Sequence, residues 1–227
     1  IQNSDSIEAD EDAFYSKVIK LNLTTVSPHI SGPNHVKIMT NIQDAFLKKI
    51  KINKAYLVSC VNSRVDDLTD AAIAIKGKKI APHVDFYIAA ASSEVQSESE
   101  RRGDWQNLID SGATPLPPGC GPCIGLGIGL LGPDEVGISA TNRNFKGRMG
   151  DPSAKAYLAS PSIVAASAVA GIIAPPFNFK SSLPKGHITE NKKTYSVKST
   201  IPLLDGFAKK LEGEIIFCHQ DNLNTDG

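Results

Sequence analysis

The run AYLVSCVNSRVDDLTDAAIAIK, residues Ala55–Lys76, contains the repeating unit from which we predict the fold. Its first five residues form a short apolar run that ends at Cys60 and is typical of a buried parallel strand. The segment Asp66–Lys76 begins with acidic residues and is followed by Gly77, which predicts a helix with a defined end. A buried strand that leads through a short loop into a helix is the building unit of α/β proteins.

The same unit recurs along the chain. The run DFYIAAA, Asp85–Ala91, predicts a second buried strand, and a helix that ends near Ile109 follows it. The run EVGIS, Glu135–Ser139, predicts a third strand, and Pro161 opens a helix of small residues. This alternation predicts an α/β fold, a three-layer domain with a largely parallel sheet. Ligands of such sheets bind beyond the carboxyl ends of the strands.

The remaining segments give weaker patterns. The run KVIKLNL near the start alternates apolar and polar residues and predicts a strand. Apolar spacing over Val36–Ile50 predicts a helix. After Pro176 the chain is polar and rich in turn residues, with a strand-like run, EGEIIFC, that ends at Cys218.

The overall charge favours neither nucleic acid nor membrane as a partner. The 227 residues include 24 Lys plus Arg and 24 Asp plus Glu, so the formal net charge is zero. No apolar run approaches the roughly 18 residues that a membrane span needs. The first residues are acidic and have no apolar core, so they do not form a signal peptide.

Three of the four cysteines carry the strongest chemical signal. Cys120 and Cys123 lie three positions apart in a glycine-rich turn, and Cys60 follows the first strand. A redox pair of the thioredoxin type is disfavoured by the glycines that follow, and a structural zinc site lacks an evident fourth ligand. Thiolates are also the ligands of iron–sulfur clusters, and three of them would leave one iron open as a Lewis acid. The spacing alone leaves these sites open, together with three ordinary cysteines.

A basic loop follows the third predicted strand and is read as NRNFKGR, residues Asn142–Arg148. Loop arginines usually make weak surface contacts, but a guanidinium is also the preferred bidentate partner of a carboxylate. Beside a metal site, Arg143 therefore suggests an anionic substrate. The five histidines form no H-x-x-x-H pair. The glycine run Gly127–Gly132 lacks the flanking strand and helix of a dinucleotide site.

Three blocks of sequence resemble the aconitase family of iron–sulfur hydro-lyases. They are VSCVNS at Val58–Ser63, PGCGPCIG at Pro118–Gly125 and SATNRNFKGR at Ser139–Arg148. Their order and intervals match the family along nearly the whole chain. One departure is Val61, where the family more often has Thr, so a hydroxyl is absent at this position.

The resemblance implies a cofactor and a set of site residues. The cofactor is a 4Fe–4S cluster, and the catalytic base is a serine of a separate domain, so we expect none in this chain. Asn62 lies in the first ligand block, whereas Cys218 lies outside all three blocks and is expected not to be a ligand. The implied residues are Cys60, Cys120 and Cys123 as cluster ligands, and Arg143, Arg148 and Asn142 as substrate-binding residues.

Within the family, the runs GCGPCIGLGIGLLGPDEVGISATNRNFKGRMG and FCHQDNLNTDG most resemble the fungal, mitochondrial branch that hydrates homoaconitate to homoisocitrate in the α-aminoadipate route to lysine. This implies a tricarboxylate substrate and a location in the mitochondrial matrix. The alternatives are an aconitate hydratase, a 3-isopropylmalate dehydratase, or an RNA-binding regulator of the same family, which the zero net charge does not support.

The resemblance also implies an organisation into domains. Residues 1–31 are expected to be the tail of a preceding domain, residues 32–200 the cluster-binding α/β domain, and residues 201–227 a linker with the start of a mobile domain. The chain is then a fragment of a longer protein, and its partners include the remaining domains. We expect the fragment alone to be inactive.

Overall fold

The computed structural model describes residues 8–177, 183–192, 204–208 and 210–214. The chain divides into two compact units, which are considered separately. The larger is Val26–Leu183, and the smaller combines Ile1–Thr25 with Pro184–Gly227. The predicted assignment of residues 1–31, 32–200 and 201–227 to successive domains stays a prediction, because it concerns domains of a longer protein.

The helices and strands of the described residues alternate through most of the larger unit. In chain order the strands are β1 (Lys17–Asn22), β2 (His29–Ser31), β3 (Met39–Asn41), β4 (Lys54–Val58), β5 (Asp85–Ala89), β6 (Thr114–Pro115), β7 (Val136–Ser139), β8 (Lys155–Leu158) and β9 (Lys185–Glu190). The α-helices are α1 (Ile42–Leu47), α2 (Val65–Ile75), α3 (Ser93–Arg102), α4 (Asp104–Ser111) and α5 (Pro161–Ala170).

The larger unit is built on a seven-stranded sheet with the order β3-β2-β8-β7-β4-β5-β6. Strands β8, β7, β4, β5 and β6 are parallel to one another, whereas β2 pairs antiparallel with both β8 and β3. The prediction of an α/β fold with a largely parallel sheet is therefore confirmed. In the smaller unit, β1 pairs antiparallel with β9, so the strand predicted from KVIKLNL is also confirmed.

Successive residues of β4 face opposite sides of the sheet, and both sides are buried. Ala55 and Leu57 pack in a core that includes residues of α2, α4 and α5. Tyr56 and Val58 pack in a second core, which the loop segments between Leu116 and Ala156 cover. The layer on this second face is thus made mainly of loop, and it is the layer that carries Cys120 and Cys123.

The order of connections produces a topological switch at the centre of the sheet. From β4 the chain proceeds to β5 and β6 on one side, and it then returns to place β7 and β8 on the other. The carboxyl ends of β4 and β7 therefore diverge into loops of opposite direction, which opens a crevice between them. Cys60 and Asn142 follow these two strands.

Two helix predictions are wrong in part. The helix predicted over Val36–Ile50 covers only Ile42–Leu47, because Met39–Asn41 pairs with β2 as a strand. The side chain of Asn41 accepts a hydrogen bond from the Gln43 N–H at 2.9 Å and so starts the helix there. The helix predicted to run to Ile109 is broken at Gly103, whose φ is 79°. The strand-like run that ends at Cys218 lies mostly outside the described residues, as does Cys218.

Among the described residues there is no helix long and apolar enough to span a membrane.

Candidate functional site

The turn that carries Cys60 is held by two buried serines. The backbone N–H of Ser59 donates to Ser63 Oγ at 3.0 Å, and the N–H of Val61 donates to Ser59 Oγ at 3.1 Å. Ser59 Oγ itself donates to Asn142 Oδ1 at 3.1 Å, across the crevice between β4 and β7. Cys60 is exposed at the apex of this turn. The two serines thereby connect the Cys60 turn to the loop that follows β7.

The second group of cysteines lies on residues 117–132, which we call the cysteine loop. It follows β6 and passes the carboxyl end of β5, where the N–H of Gly119 donates to the carbonyl of Ala90 at 3.0 Å. Cys120 is exposed, and Cys123 is partly buried in the 3₁₀ turn Pro122–Ile124. The pair does not begin an α-helix, as a thioredoxin-type pair would.

The glycines of the cysteine loop allow it to lie directly on the sheet. Gly129 has a φ of 83°, and a Cβ atom there would come within 2.9 Å of the Tyr87 ring. The Tyr56 hydroxyl donates to the Gly129 carbonyl at 2.7 Å, and the two tyrosine rings stack with centroids 5.8 Å apart. Gly129 is therefore needed where the loop rests on the two tyrosines, whereas a Cβ atom at Gly127 would meet no neighbour within 4 Å.

Residues 142–150, which we call the arginine loop, are bonded to the cysteine loop. Arg148 Nε donates to the carbonyl oxygen of Cys123 at 2.9 Å. The N–H of Leu131 donates to the carbonyl of Met149 at 2.9 Å, and the Leu131 carbonyl accepts from the Asp151 N–H at 2.8 Å. The fold therefore brings the predicted carboxylate-binding loop into direct contact with the loop that carries two predicted cluster ligands, through the main chain of Cys123.

The predicted substrate-binding residues differ in their environment. Arg148 is partly buried, and its guanidinium carbon lies 5.3 Å from the centre of the Phe145 ring. Arg143 and Asn142 are exposed at the rim of the crevice. Asn62 differs from these residues because it lines a separate cavity of about 400 Å³. Thr141 and the start of α5 also line this cavity.

The thiol groups influence one another electrostatically. Burial raises the pKa of the Cys123 thiol, and charge on Cys120 and Cys60 raises this pKa further. The Gly121 N–H and the charge of Arg148 act in the opposite direction. Within the described ranges, no three His, Cys, Asp or Glu side chains are grouped closely enough to hold a single metal ion.

The donor set nevertheless suits a group with several metal atoms. Cys60, Cys120 and Cys123 are all free thiols. Cys60 follows β4, and the loop with Cys120 and Cys123 follows β6 and passes the end of the neighbouring strand β5, so the three cysteines lie on loops at the same end of the sheet. In a four-iron cluster each thiolate binds a different iron, so the three sulfurs need to surround the group and not one point. The roles of these cysteines and of the arginines stay predictions.

Sequence reasoning missed the side chains that hold these loops in place. Asn144 is fully buried, and its Nδ2 donates to the carbonyls of Ser31 at 3.2 Å and Ala156 at 3.0 Å. It ties the arginine loop to β2 and β8. Ser59 and Ser63 hold the Cys60 turn in place by hydrogen bonds to each other, and Ser59 also bonds to Asn142. Such contacts join residues far apart in sequence, so spacing gave no signal for Asn144, whereas the short S-x-x-x-S interval around Cys60 was a usable one.

Comparison with known proteins gives consistent matches. The family model described as "Aconitase family (aconitate hydratase)" matches residues 1–171. Proteins named "Homoaconitase, mitochondrial" are similar to the chain in Debaryomyces hansenii (53% identity, covering 99% of this chain and 34% of the relative), Candida albicans (51%, 99% and 35%) and Mycosarcoma maydis (54%, 97% and 32%). The chain thus spans about a third of the length of these relatives. Because the family model covers most of the described larger unit, including all three cysteine positions, the chain belongs to the aconitase family.

Proposed function

We propose that this chain is the cluster-binding part of a mitochondrial homoaconitate hydratase, a hydro-lyase that interconverts homoaconitate and homoisocitrate in lysine biosynthesis. Its partners would be the tricarboxylate substrate and the remaining domains of the longer protein. Support for the substrate comes from the names of relatives that are 51–54% identical over nearly the whole chain. Support for the chemistry comes from family membership and from the site itself.

One observation carries the proposal most directly, namely the hydrogen bond from Arg148 Nε to the Cys123 carbonyl. It holds a cationic, carboxylate-binding group against the segment that carries two of the three thiols. A metal site with a fixed guanidinium beside it suits a substrate that bears carboxylates near the reacting carbon.

Cys60, Cys120 and Cys123 would hold the 4Fe–4S cluster. When bound, the cluster supplies an iron without a protein ligand, whose Lewis acidity polarises the hydroxyl that leaves or enters. Arg143 and Arg148 would bind substrate carboxylate and offset its charge, which lowers the cost of bringing an anion into the crevice. Asn142, held by Ser59 Oγ, would keep its amide N–H₂ group free to donate to the substrate.

The proton acceptor is not assigned to this chain, because the family resemblance implies a serine of another domain. The described surface of the site offers no side chain that we assign to that role. The proposal therefore concerns substrate binding and cofactor holding, and the complete reaction belongs to the longer protein.

The test is a comparison of three substrates with the whole purified protein. We expect hydration of homoaconitate with a higher kcat/KM than that of cis-aconitate or isopropylmaleate, and iron and sulfide near four equivalents each, as a 4Fe–4S cluster requires. A preference for cis-aconitate or isopropylmaleate would move the protein to another branch of the family. Zinc in place of iron and sulfide, or tight RNA binding without turnover, would overturn the enzymatic proposal.

Replacement of single cysteines tests the ligand set in the same preparation. Cys60→Ser, Cys120→Ser and Cys123→Ser should each lower iron and sulfide, whereas Cys218→Ser is the matched control and should leave both unchanged. Equal loss in all four variants would show that the assignment of ligands is wrong.

A further inference from the structure

We propose that Phe145 is a positioning residue for Arg148, which it holds in one plane so that a substrate carboxylate binds end-on across the two terminal amino groups. The inference rests on the proposed function, because it takes Arg148 to be a carboxylate-binding residue. It adds a residue to the site and a geometry to the contact.

The first step concerns which N–H groups of Arg148 are free. A guanidinium has five N–H donors, and a carboxylate binds either side-on, across Nε and one terminal nitrogen, or end-on, across both terminal nitrogens. Nε is already used, because it donates to the Cys123 carbonyl at 2.9 Å. Among the residues that the structure describes, no hydrogen bond or ion pair engages the two terminal nitrogens. Only the end-on mode leaves the Cys123 contact intact.

The second step concerns the orientation of the guanidinium plane. A single hydrogen bond through Nε fixes one edge of the group but leaves rotation about that bond. The Phe145 ring lies under the guanidinium, with 5.3 Å from the ring centre to the guanidinium carbon. Contact with a ring face attracts the cation and restricts this rotation. The Cys123 carbonyl therefore fixes the Nε edge of the Arg148 guanidinium, and the Phe145 ring fixes the plane of that group.

The third step is that Phe145 and Arg148 belong to one rigid turn. The N–H of Arg148 donates to the Phe145 carbonyl at 3.0 Å, and Gly147, with a φ of 80°, closes the turn between them. The ring is partly buried, so it is not simply a member of the core. Asn144, the residue before it, is fully buried and bonded to β2 and β8, which anchors this turn on the sheet.

The experiment uses the whole protein with its cluster and compares three variants. Phe145→Met keeps the side-chain volume but removes the ring face, and Phe145→Tyr keeps the ring face. Lys146→Ala is the matched control, since Lys146 is an exposed neighbour in the same turn. The readouts are KM and kcat for homoaconitate, iron and sulfide content, and the calorimetric Kd of propane-1,2,3-tricarboxylate, a tricarboxylate that has no hydroxyl or double bond to react.

We expect Phe145→Met to raise KM and Kd about fivefold, with kcat and iron content near those of the wild type. Phe145→Tyr should restore both constants to within about twofold, and Lys146→Ala should change neither. Unchanged KM and Kd in Phe145→Met, in a wild type that does hydrate homoaconitate, would overturn this inference alone. Loss of iron in parallel with activity would also overturn it, because Phe145 would then support the cysteine loop.

The proposed function fails by a different result, which is the absence of homoaconitate turnover in the wild type. If propane-1,2,3-tricarboxylate then still binds in a manner that depends on the Phe145 ring, the positioning role stands and only the substrate changes. If it does not bind to the wild type either, both proposals are overturned.

Discussion

Arg143 and Arg148 lie five positions apart in one loop, yet the fold holds them in different ways. Arg148 is partly buried, bonded to the Cys123 carbonyl and stacked on Phe145. Arg143 is exposed, and no hydrogen bond or ion pair from the described residues restrains its guanidinium. The side chain of Arg148 therefore has a fixed direction, whereas that of Arg143 would gain one only when substrate binds, if the proposed function holds.

The first prediction concerns lysine at these two positions in the whole protein. Arg148→Lys and Arg143→Lys keep the charge but lose the planar two-point contact, so kcat/KM should fall roughly 30-fold to several thousand-fold. Arg148→Lys should show the larger loss, because it also breaks the bond to Cys123. Iron and sulfide should stay near wild-type values, since neither arginine is a ligand. Steady-state kinetics and metal analysis on the same samples provide the measurement, and near-normal kinetics in both variants would remove the carboxylate clamp.

The second prediction concerns the ion pair between Lys54 and Glu135, in which Lys54 Nζ lies 2.5 Å from Glu135 Oε2. Burial raises the pKa of Glu135, but hydrogen bonds from Lys54 and the Gly132 N–H and the charge of Lys54 outweigh this effect and lower the pKa overall. A lowered pKa in the folded state stabilises the protein above the unfolded-state pKa of about 4.3, and this stability is lost as the pH falls through the folded-state value.

Glu135→Gln should accordingly lower the free energy of unfolding by about 1–2 kcal/mol at pH 7, and this difference should shrink below about pH 4. Urea unfolding at a series of pH values measures it. Asp70→Asn, at an exposed carboxylate of α2, is the control. The same pH dependence in both variants would show that the ion pair is not its source.

At this scale the sequence indicated candidate site residues and missed those that hold their loops in place. Cys60 and Arg143 were predicted because each follows the end of a strand and lies in a block that resembles the aconitase family, and their roles stay predictions. Asn144 and Glu135 could not be found, since their partners lie on other elements: Ser31 and Ala156 for Asn144, and Lys54 for Glu135. Only the folded chain brings such pairs together.

Among the elements, the cysteine loop shows how a long irregular segment is kept in place. It has no α-helix, and its order comes from contacts with the sheet and with the arginine loop. Lys54 Nζ donates to the Leu130 carbonyl, and the Tyr56 hydroxyl donates to the Gly129 carbonyl. Two side chains of one strand thus satisfy two consecutive carbonyls of the loop, which would otherwise cost free energy when covered.

The third prediction compares two glycines of this loop that have nearly the same backbone conformation. Gly127 has a φ of 80° and Gly129 a φ of 83°, but only the second is packed against a ring, that of Tyr87. Gly127→Ala should cost about 1–2 kcal/mol, because of the left-handed backbone alone. Gly129→Ala should cost about 1–3 kcal/mol more, because the added methyl group displaces Tyr87. Urea unfolding measures both, and equal destabilisation would show that the loop does not rest on Tyr87 in solution.

The sequence predicted the elements that have strong apolar patterns and missed the short ones. Strands β4, β5 and β7 were predicted because they are buried on both faces and read as apolar runs. Strand β6 has two residues, which is too short for a period to be seen, and β8 was also missed. Strand β3, which pairs with β2, was predicted to be helical. Its three residues, Met39–Asn41, are too few to distinguish a strand period from a helix period.

At the scale of the whole molecule, the site of this chain is open. It uses loops at the carboxyl ends of the strands of one sheet. The chain spans about a third of the length of the relatives that it resembles. The sheet type and the strand ends that carry the cysteines could be predicted, because alternation of strands and helices restricts the topology. The pairing of β1 with β9 could not, since the two strands are far apart in sequence.

The fourth prediction is that the purified chain, without the rest of the protein, does not hydrate homoaconitate. The expected reason is that the proton-accepting serine and other site residues belong to other domains. The chain reconstituted with iron and sulfide is assayed beside a sample without protein and beside the whole protein. Turnover above the sample without protein would place the catalytic base within these 227 residues.

The hydrogen bond from Arg148 is accepted by the main-chain oxygen of Cys123 and not by its thiol. The position of the arginine therefore does not depend on the cysteine side chain. Any residue at position 123 presents the same carbonyl, so a descendant that lost its thiols would keep its arginine in place. The proposed binding of carboxylates would then be kept after the cluster is lost. Under the proposed function, a related protein that replaced its three cysteines would lose hydration, yet it would keep an arginine placed to bind small carboxylic acids.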